Sequence, residues 1–455
     1  MLSQKQSFLK GAIIISLGGF ISKLLGALYR IPLTNFLGGE GMGIYQMVYP
    51  LYLILLTVSA SGIPTGLARL ISSGTGTGAE KQAFKLYGTI GIIGTILMFM
   101  LSSPLAAIQG EPAIRLSCIM LCPSVFFVSV LSIVRGYFQG RGNMYPTAVT
   151  EIAEQLIKVA LGCILAYTFR KNLNLAVAST LFAVTASEAI STAIAYFWYL
   201  KKRGRQPLFK NLNLSYSSIL KYTVPLTFTA IAPPVSQLLE SIIAVRLLRG
   251  ITDSATSLYG IFSGCAITII NLPVSITYGL AAASVPQISP LASKGDISGA
   301  KRGAYKALLI TFAISFPAAI GMFAFAPLAT RLIFSSLNAE EAALLVRLIR
   351  IMAINAITLS LVQTSSACLT ALGKPMKSTV TQWTFAIVRV ILTALLIKFT
   401  PLSIEGAAIS ANCSYLLAAA LNFWYIINEK LPRGMANENN ADRFRRAGGR
   451  LKSQG

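Results

Sequence analysis

The chain contains no histidine, and of its 455 residues only 15 are Asp or Glu. Without imidazole, the side chain whose charge changes near neutral pH, the commonest acid–base and zinc chemistries are excluded at the outset. The three aspartates, Asp253, Asp296 and Asp442, fall in loops or in the tail, so every carboxylate inside an apolar block is Glu. Charged residues make up 12% of the chain, half of the roughly one quarter usual in soluble domains. The six cysteines, Cys118, Cys122, Cys163, Cys265, Cys368 and Cys413, all lie in apolar stretches. Cys118 and Cys122 share a helix face, but no His completes a metal set, so all six read as small core residues and no metal is expected. No Gly-rich phosphate loop follows a strand. Nothing here suggests covalent chemistry. An enzyme survives only as a membrane transferase built from loop residues.

What is present is hydrophobicity: 54% of the residues are apolar, with mean hydropathy +0.67. They come in blocks long enough to cross a bilayer, about 20 residues each. Twelve blocks use nearly the whole chain: 10–36, 43–67, 86–104, 114–138, 146–168, 175–200, 217–248, 257–284, 304–327, 342–371, 376–398 and 403–427, numbered spans 1 to 12 below. The first begins near Gly11 and is too long for the apolar region of a signal peptide. The expected fold class is therefore an all-α polytopic membrane protein with about twelve transmembrane helices.

The net charge is +24, and the Lys and Arg sit mostly in alternate loops and in the tail. One set of loops carries Lys81 and Lys85, Arg135 and Arg141, Lys201 to Lys210, Lys294 to Lys306, and Lys374 and Lys377. The other set is short and poorer in basic residues: Gly38–Met42, Ser103–Ala113, Arg170–Asn174, Gly250–Ser257, Pro327–Glu341 and Thr400–Glu405, with Glu40, Glu111, Glu340, Glu341 and Glu405 among them. The positive-inside rule places both termini in the cytoplasm of a bacterial cell, which needs an even number of spans and agrees with twelve. With no basic stripe interleaved with aromatics, the charge points to anionic membrane lipids and away from nucleic acid. After Glu429 the chain is Asn-, Arg- and Gly-rich without apolar periodicity, as expected of a disordered basic tail at the membrane surface.

The chain also matches itself. Ile21-Ser22-Lys23-Leu24-Leu25 aligns with Val235-Ser236-Gln237-Leu238-Leu239, and Gly43-Ile44-Tyr45 with Gly260-Ile261-Phe262. Gly142, Val149, Thr150, Leu156, Ile157, Lys158 and Val159 align without a gap with Gly373, Val380, Thr381, Ile387, Val388, Arg389 and Val390. Three matches in order, six spans apart, imply two six-helix bundles, 1–205 and 206–428, with 429–455 as the tail. Equivalent spans lie an even number apart, so the repeat is parallel, related by an axis along the membrane normal. That organisation places a substrate site between the halves and argues for a transporter.

Charges inside spans are costly and usually face a cavity. The cations are Lys23, Arg30, Lys158, Arg246, Arg347, Arg350 and Arg389; the anions are Glu151, Glu154, Glu188 and Glu240. Lys23 and Arg30, seven apart, share a face of span 1 and read either as a cationic column in a cavity or as snorkelling ends. Glu151, Glu154 and Lys158 share a face of span 5, where Glu154 and Lys158 have the favourable i, i+4 order of a self-neutralised pair. Arg389, at the repeat position of Lys158, has Gln382 in place of Glu151 and so reads as a stronger anion site. Arg347 and Arg350 read as interfacial anchors. Pro233-Pro234 should kink span 7, with Gln237 and Glu240 following; the kink is either a gating bend or a fixed feature.

Several segments carry a likeness to a known family: Phe8-Leu9-Lys10-Gly11, Ser22-Lys23-Leu24-Leu25-Gly26, Asn35-Phe36-Leu37-Gly38, Gly43-Ile44-Tyr45 and Gly62-Ile63-Pro64. The sequence resembles the multidrug/oligosaccharidyl-lipid/polysaccharide exporter superfamily, and within it the polysaccharide-biosynthesis flippases of the stage V sporulation protein B type, relatives of the lipid II flippases. The resemblance implies a V-shaped cavity between two bundles and export of an undecaprenyl-linked saccharide by alternating access. In the lipid II branch, cations of span 1 line the cavity toward the pyrophosphate, and the first of them falls on Lys23. A later Arg-Asp pair falls on Tyr29-Arg30, and the Arg-bearing start of span 2 falls on the uncharged stretch from Met47 to Ile54. That branch also has two further C-terminal helices, which this sequence lacks after span 12. The substrate-binding candidates are accordingly Lys23, Arg30, Lys158 and Arg389; Glu151, Glu154, Gln237 and Glu240 are polar or coupling candidates; Pro233 and Pro234 are the helix break. No cofactor is implied, and any coupling is to an ion gradient or the membrane potential. The expected partners are a lipid-linked saccharide and membrane lipids, with the chain acting as a monomer. The competing functions are a cation-coupled drug exporter of the same superfamily and a non-transporting scaffold or membrane enzyme. The sign of the cavity discriminates: basic for the flippase, acidic for the exporter, filled for the scaffold.

Overall fold

A computed structural model describes residues 8–72, 79–203 and 216–428. The boundary expected at 205/206 and the basic tail lie outside these residues. Among the described residues the chain is helical throughout, without strands. Eleven helical stretches are long and apolar enough to cross a membrane. The first, Leu17–Ser72, has 56 residues, which at 1.5 Å per residue is about 84 Å, far more than one crossing needs. It is interrupted at Gly38, whose φ of 66° is readily reached only by glycine, so the stretch comprises spans 1 and 2 and the total among the described residues is twelve.

The repeat is visible in backbone detail. Spans 4 and 10 both end on a left-handed glycine, Gly142 at φ 74° and Gly373 at φ 77°. After each, the next N–H reaches back five residues, Asn143 to the Phe138 carbonyl at 3.0 Å and Lys374 to that of Leu369 at 2.9 Å, the same helix-ending motif in both halves. Gly43 and Gly260, equivalent in the repeat, meet where the halves touch. A methyl group on Gly260 would overlap the backbone of Gly39 and Gly43, and one on Gly43 would overlap the Thr256 carbonyl. Gly39 and Thr256 are themselves equivalent at that offset, so the contact is reciprocal, as a two-fold axis requires.

All six short loops of the Glu-bearing set gather at one end. Arg249 donates to the Gly110 carbonyl and pairs with Glu111 at 3.3 Å; Ser257 donates to Glu341 at 2.6 Å; Arg347 pairs with Glu405 at 2.7 Å; Leu173 lies against Gly41. Beneath these loops one apolar core takes side chains from both halves, including Leu33, Met42, Tyr52, Tyr259, Phe262 and Leu345. Toward the other end the apolar clusters separate by half: Ile63, Leu67 and Tyr87, or Leu131, Tyr137 and Tyr199, in the first; Ile288, Ala304 and Leu369, or Ala232, Phe385 and Ala418, in the second. The apolar core is thus shared at the Glu-bearing end, while below it the halves keep the first part of span 7 in common, where Tyr87 of span 3 and Thr223 of span 7 hydrogen-bond at 2.6 Å.

The helix Tyr216–Ala230 stops, Ile231 forms a turn, and a second helix runs Ala232–Arg249 with Pro233 and Pro234 in its first turn, where missing N–H groups cost least. The equivalent spans 2 and 8 each contain a π-turn, at Thr57–Ser61 and Ile261–Ala266. Such local widenings occur in membrane helices where packing or function demands them.

Candidate functional site: a cationic cavity between the halves

Below the shared core lies a cavity of about 340 Å³. Span 1 lines it with Ser22, Lys23, Gly26, Ala27, Tyr29 and Arg30; span 2 adds Tyr45 and Tyr49; span 5 adds Gln155 and Lys158. The second half contributes Thr268, Asn271, Val274, Ser275 and Tyr278 of span 8 and Gln363 of span 10. All three charges on the wall are positive and come from the first half. Among the described residues no carboxylate lines it.

The structure places Lys23, Arg30 and Lys158 together on this wall. Lys23 is exposed to the cavity, its Nζ 2.9 Å from the centre of the Tyr278 ring across the interface. An exposed cation on a tyrosine face gains about 0.5–1 kcal/mol, which holds the amine on the ring without removing its charge. Arg30 donates to Thr268 Oγ1 at 3.5 Å, also across the interface. Lys158 is buried yet lines the cavity, and no carboxylate lies within ion-pair distance of it among the described residues. Tyr45 and Tyr49 stack at 5.3 Å between ring centres. Ser22, Tyr29, Gln155 and Gln363 each hold a buried side-chain oxygen without a hydrogen-bond partner. Unpaired polar atoms in a low-dielectric site are costly, so a wall of this kind is suited to a polar, hydroxyl-rich anionic guest.

Arg389 is not on this wall. It is 3% exposed and holds Glu240 by two parallel hydrogen bonds, Nε to Oε1 at 2.9 Å and Nη2 to Oε2 at 2.8 Å, with Tyr415 and Thr393 alongside. The sequence reading of Arg389 as the less neutralised cation fails because its carboxylate comes from span 7, across the bundle, and not from its own helix face. Glu240 is withdrawn from the cavity for the same reason, and Gln237 lies half-buried away from it. The expected pair of Glu154 with Lys158 is also corrected: Glu154 bonds Arg135 of span 4 at 3.0 Å. Glu151 is half-buried beside Gly19 of span 1, off the cavity wall. Sequence reasoning missed the tyrosines, although Tyr45, Tyr49 and Tyr52 recur at i, i+4 and i+7 on one face of span 2. Tyr52, the last of them, donates to the buried carboxylate of Glu188. The wall contributed by spans 8 and 10 had no signal, being uncharged.

Residues 8–292 match the family model described as polysaccharide biosynthesis protein. The chain belongs to that family. Among curated relatives it is 27% identical to stage V sporulation protein B of Bacillus subtilis (strain 168) over 63% of this chain and 58% of that protein. It is 23% identical to the lipid II flippase MurJ of the same organism over 69% of this chain and 63% of that protein. In both cases the match spans less than two thirds of the relative. Among solved structures, this family member superposes on an inward-facing multidrug resistance MATE family transporter of the MOP superfamily with a TM-score of 0.76, at 17% identity, covering 91% of this chain and 97% of the other. For an outward-facing MATE structure the score is 0.67, at 17% identity, covering 92% and 94%.

Proposed function

We propose that this polysaccharide biosynthesis protein is a membrane flippase that exports a lipid-linked oligosaccharide or peptidoglycan-type precursor across the bacterial cytoplasmic membrane by alternating access. The observation that carries the reading is the sign of the cavity: Lys23, Arg30 and Lys158 on its wall and no carboxylate. A pyrophosphate-linked headgroup entering it loses hydration and needs fixed positive charge; Lys supplies this as a point charge and Arg as a fork. The stacked tyrosines and unsatisfied amide oxygens suit the sugars. In this reading the Glu-bearing loops face outward, both termini are cytoplasmic, 1–205 and 206–428 are the moving halves, and the chain acts as a monomer. Glu151 and the bend at Pro233-Pro234 are then coupling and gating elements. A multidrug exporter on the same fold would need carboxylates to receive organic cations, which this wall lacks.

The test is depletion of the protein followed by mass spectrometry of lipid-linked intermediates. One polyprenyl-linked species should accumulate. An unchanged lipid-linked pool with increased sensitivity to cationic drugs would overturn the flippase in favour of the exporter.

A further inference from the structure

The two halves treat the same helix pair in opposite ways. In the second half, span 7 packs on span 11, and Glu240 of one meets Arg389 of the other in a fully buried ion pair. In the first half, span 1 packs on span 5, and the repeat register places Lys158 where Arg389 stands. Extending the ungapped match of span 1 with span 7 by one residue puts Gly26 at the position of Glu240. Extending the match of span 5 with span 11 by three residues puts Gly162 at the position of Thr393, whose hydroxyl donates to the Glu240 carboxylate. The neighbours follow the same pattern. Ser236 donates to the Ala386 carbonyl at 3.2 Å, while its counterpart Ser22, beside Gln155 at the counterpart of Ala386, has an unpartnered hydroxyl. At this helix pair the first half therefore lacks the carboxylate that faces the cation in the second: Glu154 and Glu188 act on Lys158 only from beyond ion-pair distance, being bonded to Arg135 and Tyr52. The cation remains, and the space left at Gly26 belongs to the cavity.

We propose that the pyrophosphate of the substrate binds over Gly26 against Lys158, in the place the Glu240 carboxylate occupies in the other half. This deepens the flippase reading and rests on it. An unpaired buried cation is a deficit that a removable anion can fill, and the substrate anion does so for Lys158 while Glu240 does so permanently for Arg389. Gly26 then determines specificity: any carboxylate there competes with the substrate. The chemistry recognised is a pyrophosphate, carried on a lipid or free.

The experiment measures binding of a polyprenyl pyrophosphate, and separately of inorganic pyrophosphate, to the full chain in nanodiscs by native mass spectrometry. The wild type should bind the lipid form. Gly26→Glu should weaken it at least tenfold by filling the space and supplying Lys158 with its own carboxylate, and the loss should exceed that for Gly26→Gln, which fills the same space without charge. Lys158→Gln, needed if Gly26→Glu does not fold, should also weaken binding at least tenfold. Equal loss for the Glu and Gln variants, or unchanged binding in Gly26→Glu or Lys158→Gln, overturns the placement and leaves the flippase reading standing. A wild type that binds neither pyrophosphate overturns both. Binding of the inorganic ion as tightly as the lipid form, with the same response to Gly26→Glu, supports the site and assigns its energy to the phosphates alone.

Discussion

A lysine that projects into a cavity costs a few kcal/mol in a bilayer, and the Tyr278 ring and the charge of nearby Glu151 offset only part of that. If Lys23 receives a phosphate, Lys23→Ala should reduce complementation at native expression levels to background. Lys23→Arg should keep much of it, since either cation can face a phosphate, and Lys23→Glu should be worst because it repels the headgroup. Removing Glu154 or Glu240 together with Lys23 should rescue nothing, since those carboxylates already belong to Arg135 and Arg389. Restored function in either double mutant would reduce Lys23 to a structural charge. The pair Arg389–Glu240 behaves differently because it is closed to solvent. Breaking a buried pair from one side typically costs about 3–5 kcal/mol, while replacing both partners with apolar residues is often neutral. Thermal unfolding in detergent should therefore show a large loss for Glu240→Gln and a recovery when Glu240→Leu is combined with Arg389→Leu.

At the scale of the helix, span 7 carries a discontinuity beside its double proline. Its two prolines remove two backbone donors, and the chain responds with a turn at Ile231 between two helices. Replacing Pro233 and Pro234 with Ala restores both donors and should join the helices, biasing the equilibrium between inward- and outward-open forms without preventing expression. Cysteine accessibility along the cavity wall would report the shift. Unchanged accessibility and unchanged transport would make the bend a fixed feature. Spans 2 and 8 show the complementary strategy: each keeps its helix but widens one turn, at Thr57–Ser61 and Ile261–Ala266, on either side of the contact between Gly43 and Gly260.

For the molecule as a whole, the state described is one in which every Glu-bearing loop is engaged and the cavity lies on the far side of the shared core. If the proposed alternating access holds, closing that cavity and opening the other end breaks Arg249 from Glu111 and Gly110, the links that join span 7 to the loop between spans 3 and 4. Both links are partly solvated and so individually weak, as befits a latch that must open. The orientation is testable independently of transport. In a background without native cysteines, single cysteines at Glu111 and Lys202 should react from opposite sides with an impermeant reagent, the first from outside. Equal protection of the two positions would dismantle the span order.

The span count, the two-fold repeat and the alternation of loops were legible in the chain because a bilayer imposes them locally. Each crossing must be a long apolar helix, and each loop's charge is read segment by segment. The left-handed glycines Gly142 and Gly373 were legible as a repeat match for a similar reason, since a helix end of that kind needs glycine wherever it occurs. The partners of the buried charges were not legible. Glu154 and Lys158 share a helix face, yet Arg135 from another span takes Glu154; Arg389 has no carboxylate on its own helix face, yet Glu240 reaches it from span 7. Spacing along one helix says which side chains can meet on that helix, whereas a bundle of twelve brings each face against others of unrelated position. Only the packing decided which cation was neutralised and which was left facing the cavity, because that depends on whether a glycine or a glutamate stands opposite it on the neighbouring helix.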